Sequence, residues 1–163
     1  MASDGGSGSA TRIVVRGPGE GQVMLGSGGT PTIVKARGDD VGGAYSLLEM
    51  NVPPGPGARP HVHHQTDEAF YVVDGELTIQ IEDTVLQASA GSFVLVPRGM
   101  RHTFWNAGDR QSRAVFICSP PGFERFFEEL SDLRRASPTG QIAFEAIRQV
   151  GLKYETEFFE DGT

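Results

Sequence analysis

Cysteine, clustered basic residues and long apolar runs are all scarce in this chain of 163 residues. With one cysteine, Cys118, the chain cannot form an intrachain disulfide or a thiolate metal cage, and we expect an inert core residue there. The formal net charge is −7 at pH 7, and without any Lys/Arg run we expect no nucleic-acid partner. No run of about 18 apolar residues occurs, which argues against a membrane-spanning helix.

The first ten residues, MASDGGSGSA, contain neither a basic start nor an apolar segment. We therefore expect no secretory signal and a cytoplasmic location. Because this Gly/Ser-rich stretch cannot bury enough apolar surface to become ordered, residues 1–10 are predicted to be a flexible tail. The rest of the chain suits one domain, with a β-barrel at residues 11–119 and a helical extension packing on it at residues 120–163.

Glycine and proline are frequent, with 22 and 10 copies, and they separate short β-rich runs. We predict strands over residues 12–15, 22–25, 32–36, 45–52, 68–73, 76–82, 85–88, 92–96, 102–106 and 113–118. This spacing is typical of an all-β sandwich or barrel. Asp74-Gly75 lies between two of these runs and predicts a hairpin with a type I′ turn, because glycine accepts a positive φ.

The apolar period lengthens after Cys118, from two residues to about three and a half, which predicts helix. One side of the first helix would carry Phe123, Phe126, Phe127 and Leu130, opposite the charged residues Glu124, Arg125, Glu128 and Glu129. A second helix is predicted over residues 138–150, with Ser137 as its N-cap and Gly151 at its end. The acidic segment 155–161 is predicted to be a solvated tail.

Histidines are concentrated in one place, with three of the four at positions 61–64. His61 and His63 would point to the same side of a strand, because side chains two residues apart share a face. Glu68 can enter the next strand, and His102 begins another after a Pro/Gly turn. Three imidazoles and a carboxylate suit one divalent transition metal, either Fe, Mn, Co, Ni, Cu or Zn. We therefore predict that these four residues bind one metal ion.

Residues around this cluster are candidates for catalysis and substrate binding. Glu68 is the predicted base, since a carboxylate partly released from a metal can accept a proton. His64 is a second catalytic candidate; the alternative is that His64 is a solvent-exposed residue without a catalytic role. Phe70, Phe104 and Tyr45 are predicted to line an apolar substrate pocket, although ordinary core packing explains each of them equally well.

Two sets of residues resemble the two motifs of the cupin superfamily. The first set is Gly55, His61, His63, Glu68 and Gly75, and the second set is Gly91, Pro97, Gly99, His102 and Asn106. The wider register, through the segment SPPGFERFF at residues 119–127, is similar to small bacterial single-domain cupins labelled quercetin 2,3-dioxygenase-like. The resemblance implies a jelly-roll β-barrel with a metal centre on the three motif histidines and the motif glutamate, and frequent dimers.

The function expected from these observations is that of a metal-dependent enzyme with a small-molecule substrate. A dioxygenase acting on a chelating enol, flavonol-like or dicarbonyl substrate is favoured, because four protein ligands leave coordination positions open. A non-redox isomerase, epimerase, lyase or cyclase would use the same ligands, with Glu68 or His64 moving a proton. A non-catalytic ligand-binding cupin is the third alternative. We also expect a homodimer, paired through the outward-facing Tyr71 and Val73, with packing of these two side chains under the C-terminal helices as an equal alternative.

Overall fold

The computed structural model describes residues 13–26 and 29–160, so the predicted tail at residues 1–10 lies outside it. The strands are β1 Gln22–Leu25, β2 Pro31–Ala36, β3 Ser46–Val52, β4 His61–His63, β5 Asp67–Asp74, β6 Glu76–Ile81, β7 Thr84–Ser89, β8 Phe93–Val96, β9 Arg101–Trp105, β10 Ser112–Ser119 and β11 Thr156–Phe158. The helices are α1 Glu124–Ala136 and α2 Phe144–Lys153. The predicted all-β fold with two short C-terminal helices is confirmed. In the described ranges, neither helix has the length and apolarity needed to cross a membrane.

Two antiparallel sheets face each other across the core. One has the strand order β1-β2-β3-β10-β5-β8 and the other β11-β4-β9-β6-β7. Buried residues alternate with more exposed ones along β3, β9 and β10, as expected for strands with one face against a core. The largest fully buried side chains of the barrel include Leu48, Phe70, Leu77, Ile79 and Phe116. Side chains that point inward from both sheets can therefore meet.

The predicted hairpin at Asp74-Gly75 is wrong. β5 pairs with β10 and β8, whereas β6 pairs with β7 and β9, so the chain crosses between the sheets at this point. Gly75 is still required, because its φ is +76° and an added Cβ would lie 2.5 Å from the Ser112 hydroxyl. That hydroxyl donates to the Glu76 carbonyl and accepts from the Glu76 amide, and so holds the crossing. Turn chemistry predicted the bend correctly but could not predict which strands pair.

The other predicted strands agree with the structure to within one residue at each end, except for residues 12–15. Residue 12 lies outside the described residues, and residues 13–15 form no strand. Ile13 and Val15 are 92% and 82% exposed, so their β-propensity is not supported by packing against a second layer.

The first helix is confirmed, but the second begins later than predicted. Ser137 ends α1, where its amide donates to the carbonyls of Leu133 and Arg134, and α2 begins only at Phe144. Serine followed by proline is common just after a helix as well as at a helix start, so this signal is ambiguous. Glu124 also departs from the predicted polar face, because it is buried and its carboxylate accepts from the Gly122 amide at 2.7 Å.

The acidic C-terminal segment is not a solvated tail over the residues that the structure describes. Its strand β11 pairs antiparallel with β4, placing Thr156 opposite His63 and Phe158 opposite His61. Thr156 and Phe158 are buried, while Glu157 between them is only half-buried. The alternation of inward and outward side chains was hidden by the high acidic content. The predicted helical extension therefore also contributes a strand to the five-stranded sheet.

Replacing Phe158 with alanine tests whether β11 is a structural part of the barrel. We expect Phe158→Ala to lower the free energy of unfolding by about 3–5 kcal/mol, because it removes a buried aromatic side chain. Leu152→Ala is the control, since Leu152 is 50% exposed and truncation there should cost much less. Chemical denaturation in the presence of a chelator measures both, and equal losses would contradict the assignment of Phe158 to the core.

Candidate metal centre

The four predicted ligands meet between the two sheets. β4 supplies His61 and His63, β9 supplies His102, and β5 of the facing sheet supplies Glu68. His61 lies opposite His102 in the register of β4 and β9. One potential ligand atom from each residue lies within 4.8 Å of the others, and all four residues are buried. Strand pairing and sheet packing thus bring together residues from three separate strands.

Glu68 lies at the centre of the three imidazoles. Its Oε2 is 2.8 Å from Nε2 of His102, 3.4 Å from Nε2 of His63 and 3.9 Å from Nε2 of His61. The same nitrogen of each ring therefore faces the carboxylate. This convergence creates a pocket of nitrogen and oxygen donors inside an otherwise apolar barrel.

The opposite nitrogen of each imidazole has a partner outside the cluster. Nδ1 of His61 donates to the Arg59 carbonyl at 2.7 Å, and Nδ1 of His102 donates to the Met100 carbonyl at 3.0 Å. A carbonyl oxygen only accepts, so these bonds place a proton on Nδ1 and aim Nε2 at Glu68. Metal-binding histidines are oriented in the same way.

His63 provides the structural test of whether these residues fit a metal ion. Its Nδ1 lies 2.8 Å from the Thr156 hydroxyl, but its Nε2 is buried and has no hydrogen-bond partner. A buried nitrogen with an unused lone pair is unfavourable unless it binds something. The orphaned nitrogen and the neighbouring carboxylate fit a divalent transition metal held by His61, His63, Glu68 and His102.

Burial and mutual contact shift the ionisation of the cluster. Burial, followed by the nearby charge of His102, lowers the pKa of His61 to about 4. Burial alone would raise the pKa of Glu68, but its close contacts with the imidazoles of His102, His61 and His63 outweigh that effect and hold the pKa well below its ordinary value. Burial opposes charge on His102 too, but its hydrogen bond to Glu68 raises the pKa of that imidazole. Glu68 therefore remains an anionic ligand.

A cavity of about 40 Å³ adjoins the cluster. Its walls are mainly apolar and aromatic, and His61 and Glu68 are the only titratable residues among those described as lining it. The lining consists of Gly26, Thr30, Thr32, Met50, Gly57, Ala58, His61, Glu68, Phe104, Phe123, Phe126, Phe127 and Phe158. A molecule in this cavity would contact the surrounding phenylalanine rings and also the metal ligands His61 and Glu68.

The structure brings only one of the predicted substrate-binding residues to this cavity. Phe104 lines it, whereas Phe70 is fully buried behind it, with its ring centroid 5.5 Å from that of Phe104. Tyr45 is 37% exposed just before β3 and is not among the lining residues. The apolar residues that follow Tyr45 in the sequence belong to strand β3 and do not indicate a pocket at Tyr45.

His64 does not join the metal cluster. It is exposed, and its Nε2 lies 3.5 Å from Glu157 Oε2. As the residue after His63, it points in the opposite direction. The structure therefore matches the solvent-exposed alternative for His64.

Two residues that border the centre, Phe123 and Phe158, were not predicted from the sequence to lie there. The Phe123 ring meets the His63 ring edge-on, with centroids 4.4 Å apart, and the Phe158 ring stacks on the His61 ring at 5.2 Å. Both phenylalanines come from the C-terminal extension. Periodicity predicted burial of Phe123, whereas Phe158 lies in the segment that was predicted to be a solvated tail. Only the tertiary structure could show that both rings reach the metal centre.

Comparison with known families agrees with this geometry. Residues 48–118 match the family model described as a cupin domain, and that range contains all four residues of the metal centre. The two-sheet fold and the motif residues lead to the same class. The match covers 71 of the 163 residues, and over that range the chain is similar to cupin domains.

The chain is also similar to proteins from bacteria. It is 36% identical to the polyketide synthase CurC of Streptomyces cyaneus over 67 residues, 41% of this chain and 44% of CurC. It is 27% identical to quercetin 2,3-dioxygenase of Bacillus subtilis over 114 residues, 70% of this chain and 33% of that enzyme. The chain thus spans less than half the length of either relative.

A crystal structure supports the fold. The crystal structure of a predicted oxalate decarboxylase from Thermotoga maritima superposes on this chain with a TM-score of 0.58 at 19% sequence identity. The superposition covers 65% of this chain and 97% of the Thermotoga chain.

Metal binding can be tested by replacing the histidines one at a time and comparing ligand histidines with the exposed His64. Protein produced without a chelating tag should contain one transition-metal ion per chain, and His61→Ala or His102→Ala should remove most of it. Because metal stabilises only the folded state, these variants should also lose the rise in melting temperature caused by added metal.

His64→Ala is the matched control, since it removes an exposed imidazole one residue from the cluster. It should keep both the metal content and the metal-induced rise. Wild-type protein whose melting temperature is the same with and without a chelator would refute the metal centre.

Proposed function

We propose that the protein is a metal-dependent dioxygenase acting on a small, chelating enol, flavonol-like or dicarbonyl substrate. The observation that carries this proposal is the buried donor cluster opening onto a cavity lined by phenylalanine rings. Similarity to quercetin 2,3-dioxygenase over 70% of the chain supports it. A bound transition metal would supply Lewis acidity toward substrate oxygens and, if redox-active, a site for dioxygen.

Glu68 is the proposed proton acceptor. Glu68 lines the cavity, and its Oε2 lies 2.8 Å from Nε2 of His102. A proton taken from the substrate's enol oxygen or activated carbon can therefore be held on the Glu68 carboxylate. Phe104, Phe123 and Phe158 exclude water from this position and provide faces for an apolar substrate.

The charge of the cavity restricts the substrate. No lysine or arginine is among the residues described as lining it, and Glu68 is anionic. A phosphate or a second carboxylate on the substrate would therefore be buried without a partner, which is strongly unfavourable. We infer that the substrate is uncharged apart from the oxygen that loses its proton.

The size of the cavity restricts the substrate further. Its volume of about 40 Å³ is well below the roughly 300 Å³ of pockets that enclose drug-sized ligands. A small enol or 1,3-dicarbonyl fits these walls better than a flavonol, which would require the phenylalanine side chains to rotate.

A non-redox isomerase, epimerase, lyase or cyclase is the second candidate. Its support is the similarity to CurC, whose name connects it with polyketide synthesis. Polyketide intermediates are rich in 1,3-dicarbonyl groups, and Glu68 could move a proton on such a group without any oxidation. The same four ligands would serve both reactions, so the fold alone does not choose between them.

Oxygen consumption distinguishes these candidates. Metal-free protein reconstituted in turn with Fe, Mn, Co and Ni should consume oxygen when given a simple 1,3-diketone, and much less when given oxalate or a sugar phosphate. Glu68→Gln should abolish uptake, while Asp67→Asn, at a half-exposed carboxylate one residue away, should leave it nearly unchanged.

Failure to consume oxygen with any of these metals would contradict the dioxygenase. Proton exchange or cyclisation of the diketone without oxygen would then support the second candidate. Tight binding without turnover would instead support a non-catalytic ligand-binding cupin.

We also propose a homodimer, and an exposed apolar face of the barrel supports it. Tyr71, Val73, Phe93 and Leu95 are exposed on β5 and β8, and Tyr71 lies opposite Phe93 in their register. Apolar side chains grouped on a surface in this way commonly mark an interface. Because β8 is the edge strand of its sheet, a second copy of the chain could pack along it.

Sedimentation velocity tests this interface. Wild-type protein should sediment as a dimer, and Tyr71→Glu combined with Phe93→Glu should convert it to a monomer by placing charges on the apolar face. Val85→Glu is the matched control, because Val85 is 57% exposed but lies on the other sheet. A monomeric wild-type protein, or an equal effect of the control, would exclude this face.

A further inference from the structure

The three histidines of the metal centre differ in what holds them from behind. His61 and His102 each donate from Nδ1 to the backbone carbonyl two residues earlier, at Arg59 and Met100. These partners are local, and no side-chain substitution can remove them. His63 instead contacts the side chain of Thr156, which lies 93 residues away in the chain. Its orientation therefore depends on the C-terminal strand.

The Thr156 hydroxyl is arranged to accept a hydrogen bond from His63. It is fully buried, and it donates its own proton to the Tyr154 carbonyl at 3.1 Å. With that proton committed, the oxygen offers a lone pair to Nδ1 of His63, 2.8 Å away. The proton of the His63 ring is thus drawn to Nδ1, and Nε2 keeps its lone pair.

The alternative tautomer of His63 would block the metal centre. Its Nε2 lies 3.4 Å from Glu68 Oε2, so a proton on Nε2 could be donated to that carboxylate. The lone pair needed by the metal would then be used, and one oxygen of Glu68 would be occupied as well. Among the hydrogen bonds of the described residues, the one at Nδ1 of His63 involves the Thr156 hydroxyl. This single contact opposes the change of tautomer.

We propose that Thr156 is a positioning residue of the metal centre, whose hydroxyl fixes the His63 tautomer and so increases metal affinity. This inference rests on the metal centre proposed above. It gives strand β11 a role beyond completing the sheet, because the register that places Thr156 opposite His63 also places its hydroxyl at the ring.

The first test is the position of the ring proton in the wild-type protein. In metal-free protein labelled with ¹⁵N at histidine, long-range proton–nitrogen correlation spectra should show His63 protonated at Nδ1. A proton at Nε2 of wild-type His63 would overturn the proposal. This measurement needs no variant and is therefore independent of any folding defect.

The second test is metal affinity, measured by competition of Co²⁺ with a chromophoric chelator. Thr156→Val, which replaces the hydroxyl by a methyl group, should weaken binding by about 10–100-fold, as removal of a partner behind a metal-binding histidine usually does. It should also change the visible absorption of bound Co²⁺. Thr156→Ser retains the hydroxyl and should restore both the affinity and the spectrum.

Ser112→Ala is the matched control for lost stability. Ser112 is also buried, and its hydroxyl makes hydrogen bonds to the backbone of Glu76, outside the metal centre. This variant should lower the melting temperature without weakening Co²⁺ binding. If Thr156→Val binds Co²⁺ as tightly as wild type, the role of Thr156 is refuted while the metal centre stands. If wild-type protein binds no metal, the metal centre itself fails.

Discussion

The buried carboxylate of Glu68 is the constraint on which the rest of the structure depends. A charge inside an apolar barrel is strongly unfavourable unless nearby groups compensate for it. Here part of the compensation comes from His102 on the opposite sheet, whose Nε2 lies 2.8 Å from Oε2 of Glu68. Closure of the two sheets and satisfaction of this charge therefore require each other, and a divalent cation would complete the compensation.

The walls of the metal centre also belong to the hydrophobic core. Phe126 and Phe158 stack on each other at 5.1 Å, and both line the cavity beside Glu68. Residues that stabilise the attachment of α1 and β11 thus also shape the space for a substrate. A substitution that enlarges the cavity will tend to destabilise the fold, because large-to-small changes in a packed core leave a void.

Much of the fold and the ligand set could be predicted from local pattern. Apart from residues 12–15 and strand β11, the strands were predicted to within a residue at each end, and the two-residue spacing of His61 and His63 placed both imidazoles on one face. The errors arose where one local signal allowed two structures. Gly75 suits a hairpin turn and also a crossing between sheets, and Ser137 suits either end of a helix.

The sequence by itself determined the chemistry of this protein: three imidazoles and one carboxylate at spacings that strand geometry can bring together. Only the tertiary structure decided how that chemistry is supported and enclosed. Strand β11 appeared in the sequence as an acidic stretch, yet pairing with β4 buries Thr156 behind His63 and stacks Phe158 on His61. The physical reason is that hydrogen bonds and ring contacts between residues more than 90 positions apart arise from register and packing, which local periodicity does not encode.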